Sequence, residues 1–158
     1  MKALKFKTLF FCILFTSLNV SSSDYALVSV GYESNILVKI ADDSKERKRG
    51  LMFLNKLTDT NGLLFIYPKS KIVTMWMHNT FLPLDIIFID KTSKVLSIKE
   101  GIPLSKELIS SNYAVNAVLE IPKGCSKKLN IKQNDKITWT RINKEKKKNI
   151  RYYHCLDK

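Results

Sequence analysis

The sequence predicts a mainly β (α+β) domain: a compact antiparallel sheet curled into a partial barrel, with one or two short helices. Three observations carry this expectation. Apolar runs of strand length, rich in Ile, Val, Leu and Phe, recur from residue 25 to residue 141. Polar turns separate them, and only two stretches, near 42–50 and 122–130, read as helix. About eight short strands and two brief helices in one small domain fit a curled sheet better than a layered α/β fold.

The elements follow in order. Residues 25–31 and 36–41 form two strands around the turn-prone Glu33, Ser34 and Asn35, a natural hairpin. In 42–50, Asp43 or Ser44 accepts from first-turn N–H groups, an acidic residue follows at the positive helix end, and Gly50 terminates the helix. Leu51, Met52, Phe53 and Leu54 then pack the helix onto the sheet. After a loop over 55–61, residues 62–67 are a buried strand, and 68–71 link it to the run from Met75 to Asp90. A polar turn at 90–93, a strand over 94–99 with one solvated face, a loop over 100–111 and a strand over 113–121 come next. A short helix within 122–130, a turn at Asn134 and Asp135 and a strand over 137–141 complete the domain.

The ends differ from the middle. Residues 1–23 have a basic start, an apolar stretch from Thr8 to Val20 and then Ser21, Ser22 and Ser23, the tripartite pattern of a secretory leader cleaved after Ser23. The expected organisation is therefore a signal peptide over 1–23, one domain over 24–142 and a basic tail over 143–158, read as mobile unless Cys155 ties it down. The expected location is the periplasm or cell envelope. Cys12 lies inside the apolar leader, preceded by Phe10 and Phe11, and is not a lipid-attachment cysteine. Cys125 and Cys155 survive cleavage; export permits them to pair, and both free is the alternative, because sequence gives no distance.

The formal net charge is +13, of which Lys2, Lys5 and Lys7 leave with the leader. A basic mature chain suits anionic partners. Export and the lack of interleaved Arg and aromatic residues argue against nucleic acid, leaving weak contact of the basic tail with anionic membrane surfaces. No internal repeat, Gly-rich phosphate loop, Cys-x-x-Cys or His-Glu-x-x-His pair is present in the sequence, and no metal or cofactor is expected.

Chemistry is expected where the run over 75–90 turns. Along an extended 75–78, Met75 and Met77 share one face and Trp76 and His78 the other. Asn79 and Thr80 hold a turn, Pro83 restricts Leu82, and 84–89 is a strand covered on both sides, so the run reads as a wide hairpin. That corner is expected to gather His78, Asn79, Thr80 and Asp85, with Trp76 beside them and Arg47 and Arg49 on the flanking helix. Trp76, His78, Asn79, Thr80, Asp85 and Arg49 are the candidate ligand-binding residues, since Trp and Arg are frequent anchors and loops on rigid scaffolds carry function.

The spaced set Ile40-Ala-Asp42, Glu46-Arg-Lys-Arg-Gly-Leu-Met52, Gly62-Leu-Leu-Phe65, Trp76-Met-His-Asn-Thr80, Pro83-Leu-Asp-Ile-Ile-Phe-Ile-Asp90 and Val118-Leu-Glu120 resembles the bacterial and archaeal family called domain of unknown function 192. The resemblance runs over about residues 28–140, nearly the whole mature domain, and several separate motifs recur in order. It implies a small β-rich protein, often with a signal peptide, and brings no biochemical activity with it. Two positions depart from the family pattern: His78 stands where Lys is usual, and Leu63 or Leu64 where Met is common. The lost Lys removes a fixed positive charge from the corner.

The first functional expectation is a non-catalytic envelope module binding a small ligand or a partner protein at the corner. The second is a hydrolase with His78 as base, Asp85 or Asp90 orienting it, and Thr80 or Ser105 as hydroxyl; no convincing nucleophile stands out. The third is a copper carrier using Met75, Met77 and His78, which alternate onto opposite faces and would need a bulge to converge. Calcium is rejected, because Asp85 and Asp90 supply few of the ~6–8 oxygens it takes.

Overall fold

The computed structural model describes residues 25–30 and 34–155; the expected leader and its cleavage site lie outside them. Strands β1 (Tyr25–Val30), β2 (Ser34–Ala41), β3 (Leu63–Lys71), β5 (Leu84–Ile89), β6 (Val95–Gly101), β8 (Val115–Pro122) and β9 (Ile137–Ile142) form one sheet in the order β6-β5-β8-β3-β2-β1-β9. Two short strands, β4 (Thr74–Met75) and β7 (Ile109–Ser110), form a separate ladder. Helices α1 (Ser44–Arg49), α2 (Cys125–Lys128) and α3 (Lys144–Lys147) are each one or two turns long.

The large sheet is a curled half-barrel whose two edges meet at one corner. Val95 N–H donates to Asp135 C=O at 2.9 Å, Asn134 N–H to Val95 C=O at 2.9 Å and Ile137 N–H to Ser93 C=O at 2.8 Å. These bonds give the exposed edges of β6 and β9 partners where an open sheet would have none.

Alternation along the strands builds a core on each face. Val28, Ile36, Leu64, Ile87, Leu119 and Ile121 fill the concave interior. Leu63, Phe65, Leu84, Ile86, Phe88 and Val118 face outward, beneath a second layer that includes Leu51, Val73, Met75 and Met77. A third cluster joins Tyr25, Leu37 and Ile142 to Ile150 and Tyr152 of the tail.

Two expectations are corrected, and an open alternative is decided. The sheet is not wholly antiparallel: β2 and β3 run parallel, Lys39 opposite Leu63 through Ala41 opposite Phe65. The excursion over 42–62, with α1 inside it, carries the chain back past the end of β2 so that β3 enters beside Lys39 and runs in the same direction, which a tight hairpin cannot do. Secondly, the run over 75–90 is not a hairpin. β4 pairs with β7, whereas β5 lies between β6 and β8 and is buried throughout, so its ladder bonds are already taken. The tail over 143–155, expected to be mobile unless Cys155 tied it down, is docked. Asn61 donates from Nδ2 to Tyr153 C=O at 2.8 Å and accepts from Cys155 N–H at 2.7 Å, while Tyr153 N–H donates to Asn35 C=O at 2.8 Å. Cys125 and Cys155 form a disulfide, with Cα atoms 5.5 Å apart, that pins the end of the tail to α2.

Helix α1 starts as its residues require. The Asp43 side chain accepts from Glu46 N–H at 2.7 Å, and the Glu46 carboxylate returns to the N–H of Asp43, a reciprocal capping box. Gly50 ends the helix with φ 50°, a conformation that suits glycine.

Candidate functional site

Glu120 is the residue the sequence least leads one to expect where it stands. Alternation on β8 sends Leu119 and Ile121 into the barrel interior, so Glu120 turns to the outer core with Val118. It is 4% exposed, and nothing among the described residues hydrogen-bonds or ion-pairs with its carboxyl. Burial pushes its pKa up to about 8, so near neutral pH it is mostly a neutral acid and a hydrogen-bond donor.

The carboxyl is not sealed in. Glu120 lines a small cavity of about 30 Å3, whose roof comes from the end of α1 and the turn after it, including Arg47, Arg49 and Met52. Phe65 of β3 forms part of the lining, and the segment following β4 adds Met75, Trp76 and Thr80. One ordered water needs about 10–15 Å3 of such space, so the cavity has room for about two, or for one small polar head group.

Each lining group is positioned by local structure. Thr80 is buried, its N–H donates to Met77 C=O at 3.0 Å, and its hydroxyl has no partner among the described residues. Asn79 takes φ 58°, a conformation that Asn tolerates better than most residues, and its C=O accepts from Phe53 N–H at 2.9 Å. Thr80 C=O accepts from Leu104 N–H at 3.0 Å. Phe53 and Leu104, bulky residues at φ 63° and 61°, thus hold unfavourable backbone conformations on either side of this turn. Trp76 is 47% exposed and stacks on His78, ring centroids 5.1 Å apart.

Arg47 is fixed from three sides. Its guanidinium donates to Asp42 C=O and, at 3.0 Å, to Ile66 C=O, and lies 5.4 Å from the centre of the Tyr67 ring. Burial drives the Tyr67 hydroxyl up to about 12, Arg47 partly opposing and Glu120 adding to the rise. Arg49, by contrast, is exposed, and its side chain makes no ion pair or hydrogen bond among the described residues.

Of the residues expected at the corner, Trp76, Thr80 and Arg49 line this cavity, with His78 against Trp76 and Asn79 in the turn beneath. Asp85 does not join them. Its carboxylate lies on the interior-facing side of β5 and accepts from Gly124 N–H at 3.0 Å, Ser126 N–H at 2.9 Å and Ser126 Oγ at 2.6 Å. Asp90 is engaged at the β5–β6 turn with Thr92 and Lys94, so neither aspartate orients His78. Met75 and Met77 are buried in the outer core while His78 lies against Trp76, so the thioethers and imidazole are not gathered. Sequence reasoning missed Glu120; the signal was a carboxylate inside the apolar run Val118 to Ile121, on a strand with no solvated face.

Fold and cavity together define a small β half-barrel with a buried carboxyl group under a cationic roof. The chain belongs to the DUF192 family, described as "Uncharacterized ACR, COG1430", which matches residues 26–139. It is similar to the UPF0127 protein TK1120 of Thermococcus kodakarensis, 28% identical over 105 residues covering 65% of this chain and 64% of that protein. The chain thus spans under two thirds of that relative's length. A UPF0127 protein of Thermococcus gammatolerans is 25% identical over 112 residues, 70% of this chain and 71% of that one. Among solved structures, a protein of unknown function from Novosphingobium aromaticivorans superposes with a TM-score of 0.65 at 33% identity, over 73% of this chain and 84% of that one. A Sinorhizobium meliloti protein, described as a proposed transcription regulator, gives 0.68 at 29% identity, over 75% and 94%.

Proposed function

We propose that this is an exported, non-catalytic binding module that takes a small ligand in the Glu120 cavity. One observation carries the reading: a carboxyl on a buried residue, without a hydrogen-bond or ion-pair partner among the described residues, lines a cavity where an apolar side chain would stabilise the fold. Desolvating an acid without compensation costs free energy, and such a residue is usually kept for what it binds. The half-exposed Trp76 and the exposed Arg49 at the mouth supply the aromatic and cationic anchors common in binding sites. Strained backbone at Phe53 and Leu104 on either side of the turn that carries Thr80 supports the same reading.

Export is part of the proposal and is supported by the tripartite leader pattern over 1–23 and by a disulfide, which suits an oxidising compartment. Weak contact with anionic membranes through the tail is also proposed. Lys144, Lys146, Lys148 and Arg151 remain exposed although the tail is docked.

The test is native mass spectrometry on the protein recovered from its own cell envelope, beginning near Asp24, beside Glu120→Leu prepared identically. A small molecule retained by the first and absent from the second is expected. Equal retention by both would sink the reading.

A further inference from the structure

The cavity's charges select among ligands. Three of its lining residues, Arg47, Lys48 and Arg49, are cations on α1, and Glu120 is its sole acidic lining residue. On β3 the adjoining titratable group is Tyr67, which stays neutral because burial raises its pKa to about 12 and whose hydroxyl is directed to Met75 Sδ at 3.9 Å. On the corner segment it is His78, held behind Trp76. While Glu120 keeps its proton, the site is therefore a cationic mouth above two hydroxyl-type groups, Glu120 and Thr80, that are both without partners among the described residues. A cationic ligand entering it would pass the exposed Lys48 and Arg49 and reach a neutral floor with nothing to offset its charge. An anionic one is drawn in and accepts hydrogen bonds at the bottom.

Size and lining narrow the class. About 30 Å3 admits a planar head of a few atoms. Beside the polar floor stand Met52, Phe65, Met75 and Trp76, which suit an apolar stem. We propose that the cavity binds a carboxylate head on a short apolar stem, which accepts hydrogen bonds from the Glu120 carboxyl and the Thr80 hydroxyl beneath Arg47, Lys48 and Arg49 of α1. This rests on the binding-site reading above and adds the ligand class. An acid donating to a carboxylate is a short, charge-assisted hydrogen bond, and it exists only while Glu120 holds its proton. Loss of that proton places two anions in one small space, so binding and proton retention are linked.

The experiment titrates the mature chain with propionate, propylammonium and inorganic phosphate, following the Trp76 indole and Thr80 amide signals by NMR from pH 6.5 to 9.5. Propionate is expected to bind with millimolar affinity at pH 6.5 and to weaken about 30-fold by pH 9.5, the loss set by deprotonation near pH 8. Glu120→Gln, whose amide still donates, should keep the binding and lose its pH dependence, and Arg49→Ala should weaken it several-fold. Propylammonium binding that tightens as the pH rises would overturn the carboxylate assignment while leaving the cavity as a binding site. Phosphate binding more tightly than propionate would likewise replace the class. If no probe moves either signal at any pH, both this inference and the binding-site reading fall.

Discussion

Gly62 and Glu120 touch through their backbones: a methyl group added to the Gly62 α-carbon would lie 1.9 Å from the Glu120 carbonyl oxygen. That contact sits where β3 enters the sheet beside β8, with Leu63 opposite Glu120. Backbone cannot swing aside as a flexible side chain does, so the strand bearing the buried acid is held by a residue without a side chain. Gly62→Ala is expected to cost roughly 3 kcal/mol, near the upper end for overpacking, measured by urea denaturation. A loss under about 0.5 kcal/mol would mean the two strands separate freely there.

Glu120 makes stability depend on pH in a defined direction. Unfolded, its carboxyl loses its proton near the ordinary value of 4.5; folded, it does so near 8. Between these values the native state holds the extra proton, so stability from this group is full below 4.5, falls as pH rises and is lost above 8. Glu120→Gln should remove this decline, leaving the variant more stable than the parent at pH 9 by an amount on the order of a few kcal/mol. Thermal melts of both proteins at pH 5.5 and pH 9 measure it. Parallel declines would show that Glu120 is not the group responsible.

Asp85 is expected to matter for stability and not for the cavity. Asp85→Ala strands two N–H groups and the Ser126 hydroxyl, at a cost of roughly 2–4 kcal/mol. Propionate affinity, measured at a temperature where the variant is folded, should change less than twofold. A large change would return Asp85 to the site.

The Cys125–Cys155 bond closes a segment with a sequence separation of 30. Cys155→Ser should lower stability by roughly 3–4 kcal/mol on the loop-closure estimate. It should also release the tail from the barrel, so that trypsin cuts at Lys144, Lys146, Lys148 and Arg151 faster than in the parent and before any cut in the barrel. Simultaneous cleavage of tail and barrel would show that the tail does not come away on its own.

For the proposed membrane contact, residues 24–158 should sediment with vesicles containing anionic phospholipid at low salt and dissociate at high salt. Replacing Lys144, Lys146, Lys148 and Arg151 with Gln should abolish this. Unchanged sedimentation would assign the contact to another surface.

Much of this fold is legible in the sequence because local rules decide it. The alternation over 75–78 puts Met75 and Met77 inside and Trp76 outside, and Asp43 with Glu46 announces the start of α1. Strand partners are not local. Residues 84–89 read equally well beside 75–78 or between β6 and β8, and only tertiary packing decides between them. The parallel pairing of β2 and β3 depends on where the 42–62 excursion returns, which apolar periodicity does not encode. The site was half visible for the same reason: Trp76, Thr80 and Arg49 stand out by residue type and loop position. Glu120 counts as part of a strand until the layer above it is known. Asp85 was misplaced because neighbours in sequence on a strand face opposite sides.

The strand order has a temporal consequence. β1 lies between β2 and β9, so the first of the described strands to leave the ribosome is completed on one edge by the last of them, Tyr25 opposite Ile142. Until residues 137–142 have been made, that edge has no ladder partner, and the tail that covers Tyr25 and Leu37 is later still. A chain delivered from its N-terminus therefore cannot lock its barrel piecemeal. Closure is a single late event, and any handling of the nascent chain takes place while its first strand is still half-paired.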